Sequence, residues 1–322
     1  MIITRTPFRV SFTGGGSDFR EFYSQNGYGA VVSAAIRKYM YIVIHPYFQD
    51  KIRIKYAQTE DVHSVEEIQH PLVRECLKQV QLGTGYEIAS FADVPAGTGL
   101  GSSSAFTVGL LNALYACKGK IVSKERLAAQ ACEIEIDILG EPIGKQDQYA
   151  SACGNINQLR FNKDESVNVS PIFLTEEGRG RLEKNLGLYY VGGERKASSI
   201  LAEQKKNIAQ RDKYENLKKM VSLSDRLRDS LHRGEIDSVG SVLHEGWRYK
   251  KELASNISNG TVDALYQKAR SLGADGGKLL GAGGNGFLLL FCKDHEKLAV
   301  SMGCKTLPFQ IDPEGTKILF YE

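Results

Sequence analysis

Three serines, Ser102, Ser103 and Ser104, directly follow three alternating glycines in the segment Pro95-Ala-Gly97-Thr-Gly99-Leu100-Gly101-Ser-Ser-Ser-Ala105. Glycine adopts backbone conformations that other residues avoid, and its bare Cα lets N–H groups come close to a ligand. The apolar run over residues 105–116 reads as a helix. The turn therefore opens onto a helix N-terminus, where unpaired N–H groups and the positive end of the dipole point the same way. That arrangement predicts phosphate binding, with hydroxyls placed to hold a metal ion riding on the phosphates. A plain strand-to-helix turn has no need of so many glycines and serines together. A second glycine turn, Tyr190-Val-Gly-Gly-Glu-Arg195-Lys-Ala-Ser198-Ser199, leads into another helix start with an arginine and two hydroxyls. It reads as a second anion site.

Two nucleotide-binding patterns are near misses. Gly281-Ala-Gly-Gly-Asn-Gly286 satisfies GxGxxG, but an apolar strand follows it where a dinucleotide fold needs a helix. Gly140-Glu-Pro-Ile-Gly144-Lys145-Gln146 resembles a P-loop with one residue too few between its glycines and Gln in place of Ser/Thr. A serine-nucleophile reading of Gly99-Leu-Gly-Ser-Ser-Ser-Ala105 fails at the last position of GxSxG, which leaves a serine hydrolase as a distant alternative.

The elements that must hold these loops are legible in outline. Strands are expected over residues 2–12, 30–46, 51–56 and 86–93, the last running into the glycine turn. Ser123 caps a helix whose apolar positions Leu127, Ala131, Ile134 and Ile138 keep helical spacing. Gly140 and Pro142 break it, and a further helix runs through residues 144–149. A short helix is expected over residues 70–79, a charged helix from 195 to about 220, and more helix to about 272. Strands over 287–292 and 317–321 complete the chain. The domain boundary falls near residues 170–185, dividing 1–175 from 176–322.

The chain has 322 residues, for which about two domains are expected. A formal net charge of +3 is too mild to suggest nucleic acid or an acidic membrane as partner. The six cysteines are scattered without a CxxC pair, as expected of thiols in a reducing compartment. No apolar run reaches the ~20 residues of a membrane span. The N-terminus reads as a strand with no targeting segment, so a cytoplasmic location is expected.

Three glycine motifs in order carry a specific resemblance. Pro7-Phe-Arg9-Val-Ser-Phe-Thr-Gly-Gly-Gly-Ser-Asp18, the 95–105 loop and Lys278-Leu-Leu-Gly-Ala-Gly-Gly-Asn-Gly286 together resemble the GHMP kinases. The resemblance implies an α+β, two-domain fold: an N-terminal ribosomal-protein-S5-like domain and a C-terminal ferredoxin-like domain, with the site in the cleft between them. It places ATP on Pro95, Gly97, Gly99, Leu100, Gly101, Ser102, Ser103 and Ser104. Asp147 takes the position of the family's catalytic carboxylate, with Arg9 beside it to steady developing charge. Gly16, Ser17, Asp18, Gly283 and Gly284 fall at the substrate. Asn285 stands where many members have glycine.

The metal role falls to Ser102 with Glu133 or Glu135, and Mg²⁺ suits one hydroxyl, one carboxylate, phosphate oxygens and water. Glu135 has Ala131, Ile138 and Leu139 as helical neighbours and should point inward; Glu133 has Ala129, Gln130 and Asp137. Spacing to Asp147 in the family also selects Glu135. The first motif and Gly144-Lys-Gln-Asp-Gln148 are most similar to the branch that phosphorylates the anomeric C1 hydroxyl of a heptose 7-phosphate. Galactose- and fucose-type kinases are the alternative. Arg195 and Ser198 would then grip the sugar's phosphate. The expected partners are ATP and a sugar phosphate, with the protein either a monomer or a homodimer.

Overall fold

A computed structural model describes residues 1–192 and 197–322. An eight-stranded sheet has the order β12 (Lys317–Tyr321), β1 (Ile2–Thr13), β2 (Tyr28–Pro46), β5 (Tyr86–Ala92), β3 (Ile52–Lys55), β4 (Thr59–Val62). The length of β2 explains the branch in this sheet. Its first part, from Tyr28 to Ala34, pairs with β6 (Ile156–Asn162), and its last part, from Met40 to Pro46, pairs with β5. Strand β6 in turn pairs with β7 (Val167–Pro171). A second, four-stranded antiparallel sheet runs β11 (Thr306–Pro308), β8 (Leu186–Tyr190), β10 (Phe287–Phe291), β9 (Gly276–Leu279). The last strand, β12, returns to the first sheet against β1.

Five helices accompany the first sheet: α1 (Arg20–Asn26), α2 (Pro71–Val80), α3 (Ser102–Cys117), α4 (Lys124–Cys132) and α5 (Gln146–Cys153). Helix α3 is apolar nearly all round and is buried across β1 and β2, as a helix without a polar face must be. Further along are α6 (Glu176–Asn185), α7 (Ala197–Asn207), α8 (Arg211–His232), α9 (Ser238–Lys251), α10 (Gly260–Ser271) and α11 (His295–Met302). Among the described residues no helix is long and apolar enough to cross a membrane.

Two local expectations change, and the strand expected after the third glycine motif is present. The charged stretch expected as one helix breaks after Asn207, and Gln210 is extended (φ −81°, ψ 129°) before α8 starts. The break lets Ile208 and Leu217 plug the same apolar cluster. Helix α4 does not continue as an α-helix but widens into a π-turn over Glu133–Ile138, closed by Leu139 N–H to the Ile134 carbonyl at 3.0 Å. The wider turn rotates Ile138 off the apolar stripe, and it is 48% exposed where a buried position was expected. The 281–286 turn joins β9 to β10 as an antiparallel hairpin, so no helix follows it.

Candidate active site

Two pockets meet along the cleft and share Arg9 and Asp147 in their walls. Asp147 lies in the first turn of α5, and Arg9 projects from β1. The guanidinium grips the carboxylate in a fork: Nε donates to Oδ1 and Nη2 to Oδ2, each at 2.7 Å. Its Nη1 donates to the Gly99 carbonyl at 2.6 Å, which ties the pair to the central glycine loop. Bidentate pairing of this kind fixes direction as well as distance.

The wider pocket, of about 360 Å³, is walled by Gly97, Gly99, Gly101 and Ser102, Ser103, Ser104 at the start of α3. Gly97, Gly99 and Gly101 all have positive φ, between 74° and 83°, which only glycine adopts without strain. Across the pocket lie Leu280, Gly281, Gly283 and Asn285 of the β9–β10 turn. The two loops touch main chain to main chain: a Cβ on Gly281 would stand 2.5 Å from the Gly99 Cα.

Glu135 is buried, and Glu133 is exposed, as the helix-face reading expects. Ser103 Oγ donates to Glu135 Oε1 at 2.9 Å, and Gln148 Nε2 donates to Oε2 at 2.7 Å. Burial nonetheless pushes this carboxyl up to about 7, the behaviour of an anion lacking a positive partner. Among the described residues no group of three or more His, Cys, Asp or Glu could hold a metal ion. A divalent ion beside Glu135 and the serine hydroxyls would therefore take most of its ligands from phosphate and water. Such oxygen donors fit Mg²⁺.

The second pocket, about 70 Å³ and more enclosed, is lined by Ser11, Gly16, Asp18, Gln146, Lys250 and Lys278 beside the shared Arg9 and Asp147. Asp18 accepts from Gly16 N–H at 2.9 Å and from Gln146 Nε2 at 3.0 Å, and burial raises its pKa. Gly144 makes room for it, since a Cβ there would fall 2.0 Å from Asp18 Oδ2.

Several expected residues lie elsewhere. Ser17 is fully buried with its hydroxyl bonded to the Ala30 main chain, so it turns away from the pocket. Pro95 and Leu100 shape the loop through their carbonyls, which accept from Thr98 Oγ1 and Arg9 N–H. Gly284 binds back to Ile257 and Asn259. Gly283 and Ser198 line the wider pocket instead of the smaller one, and Arg195 lies outside the described residues. Lys145 pairs with Glu165 above the Tyr23 ring. The sequence reading missed Gln146, Lys250 and Lys278 as wall residues; Gln146, inside the Gly144–Gln148 motif, and Lys278, opening the third glycine motif, carried a signal, and Lys250 carried none.

A glycine–serine helix start facing a forked Arg–Asp pair, with a pocket holding Asp18 and two lysines beside it, is the construction of a phosphoryl-transfer enzyme. Residues 71–155 match the GHMP kinases N terminal domain, and residues 227–305 match the GHMP kinases C terminal region. The chain is 27% identical over 311 residues to D-glycero-alpha-D-manno-heptose 7-phosphate kinase of Campylobacter jejuni, covering 92% of this chain and 91% of that one. It is 25% identical over 336 residues to a galactokinase of Pyrococcus furiosus, with 92% and 90% covered. The fold matches a crystal structure of a D-glycero-D-manno-heptose 1-phosphate kinase from Bacteroides thetaiotaomicron at TM-score 0.81 and 24% identity, covering 100% of both chains. The chain belongs to the GHMP kinases and has their mixed α+β fold. It is an ATP-dependent kinase.

Proposed function

We propose that this kinase transfers the γ-phosphoryl group of ATP to the anomeric C1 hydroxyl of D-glycero-α-D-manno-heptose 7-phosphate, giving the 1,7-bisphosphate. The carrying observation is the Arg9–Asp147 pair at the junction of the two pockets. The likeness to the Campylobacter enzyme supports the choice of sugar. ATP lies in the wider pocket with its phosphates on the 97–104 loop, and the sugar fills the smaller one beside Asp18 and Gln146. Asp147 accepts the proton of the attacking hydroxyl as its oxygen bonds to the γ-phosphorus and the bond to ADP breaks. Arg9 holds the carboxylate in line and opposes the charge that builds on the transferring group. Ser102 and Glu135 would hold Mg²⁺, which would supply positive charge against the phosphates. The product would feed synthesis of nucleotide-activated heptose in the cytoplasm.

A screen of ADP release against free and phosphorylated hexoses and heptoses tests the assignment. Heptose 7-phosphate should give the highest kcat/KM. A preference for free galactose or fucose would reassign the enzyme to those sugar kinases.

The ion site makes a separate prediction. Glu135→Gln and Ser102→Ala should each raise the Mg²⁺ concentration needed for half-maximal rate, whereas the exposed Glu133→Gln should titrate like wild type. The reverse ranking of the two glutamates would contradict the inward placement of Glu135.

A further inference from the structure

Lys250 on α9 and Lys278 on β9 line the smaller pocket and not the nucleotide side. They are 5% and 3% exposed. Among the described residues, their heads meet main-chain carbonyls alone: Lys250 reaches Leu279 at 3.3 Å and also Gly281, and Lys278 reaches Phe12 at 3.3 Å. No ion pair within 4.0 Å joins either to a carboxylate of the described residues. Taking an ammonium out of water carries a large penalty that such a carboxylate normally offsets.

The charged groups facing the two lysines are Arg9 from β1, Asp18 from the turn after it and Asp147 from α5. Arg9 has the same sign. Asp147 is already held in Arg9's fork, and Asp18 is held by Gly16 and Gln146. Ser11 Oγ and Gln146 Oε1 in the same wall are buried without a partner. The pocket thus gathers two unpaired cation-forming groups and spare polar atoms on the acceptor side only.

We infer that Lys250 and Lys278 bind the phosphate group that the acceptor carries, so that this pocket selects a phosphorylated sugar over a free one. The identity of the sugar rests on the function proposed above; the anion site does not. Burial, with Arg9 alongside, lowers Lys250 to about 7, and burial with Lys250 and Arg9 nearby lowers Lys278 well below the usual lysine range. Rising pH above about 7 therefore favours the neutral amines, and an arriving phosphate dianion favours the ammonium form. Binding takes up protons, so affinity falls as pH rises above about 7.

Calorimetric titration of inorganic phosphate into protein saturated with ADP, at pH 8 in two buffers of different ionisation heat, reads this directly. Binding should occur with net proton uptake, and Lys278→Met and Lys250→Met should each weaken it on the order of tenfold or more. Lys278→Met is the cleaner variant, because Lys250 also ties down the Gly281 loop. In turnover, Lys278→Met should cut the ratio of kcat/KM for heptose 7-phosphate over free heptose by a similar factor.

Three results would overturn the inference: no phosphate binding, binding without proton uptake, or equal losses on both sugars. Equal losses would mean that the lysines serve the transferring phosphoryl group or the loop. Lysine-dependent phosphate binding in a protein that phosphorylates no sugar would instead overturn only the proposed function.

Discussion

Asp147→Asn is expected to lower kcat by about 10²–10⁴-fold, the range for loss of a positioned proton acceptor. An asparagine amide cannot take the hydroxyl proton, and only its oxygen can accept from Arg9, whose fork now donates to both carboxylate oxygens. ATP affinity should change little. The nucleotide site proposed above uses main-chain N–H groups and serine hydroxyls of the 97–104 loop, and the substitution removes none of those donors. Thermal stability measured alongside separates the chemical loss from a folding defect, because the Arg9 side chain is only 6% exposed and loses half its grip. Near wild-type turnover would remove Asp147 from the mechanism.

Gly281→Ala should be nearly as damaging, for a steric reason. Gly281 has φ +66°, and its added Cβ would stand 2.5 Å from the Gly99 Cα. The contact is reciprocal, since a Cβ on Gly99 would lie 2.7 Å from the Leu280 carbonyl oxygen. Main chain cannot swing aside like the tip of a side chain, so the two glycine loops must part. Parting them moves the 97–104 loop relative to Asp147. A displacement near 1 Å can cost about 10²-fold in rate. Gly303→Ala is the control: it has the same φ of +66°, with nothing within 4 Å of the added methyl. It should show the backbone strain alone, with a lower Tm and an unchanged KM for ATP. Equal kinetics for the two variants would show that the loops do not need close contact.

The parts of this site that were legible in the sequence are those that local rules determine. Glycines at 97, 99 and 101 advertise positive φ before a helix start, and helical neighbours separate buried Glu135 from exposed Glu133. What escaped depends on contacts between distant segments. Lys250 looks like any lysine in a helix ending Arg-Tyr-Lys-Lys; only the packing of α9 against β9 buries it. Ser17, inside a glycine motif, looked available until the fold placed Ala30 against its hydroxyl. The π-turn at Glu133–Ile138 has no sequence period of its own, so Ile138 was assigned to the wrong face. The short helix α1 and strand β4 lack the length that makes a periodic pattern visible.

The proposed reaction is phosphoryl transfer across the Arg9–Asp147 pair to an anomeric hydroxyl. Phosphorus NMR of the protein with ATP, Mg²⁺ and heptose 7-phosphate tests it most directly. A new signal coupled to the anomeric proton should grow in step with ADP, while the original sugar phosphate signal persists. Release of inorganic phosphate without a sugar product, or phosphate entering at another carbon, would contradict it.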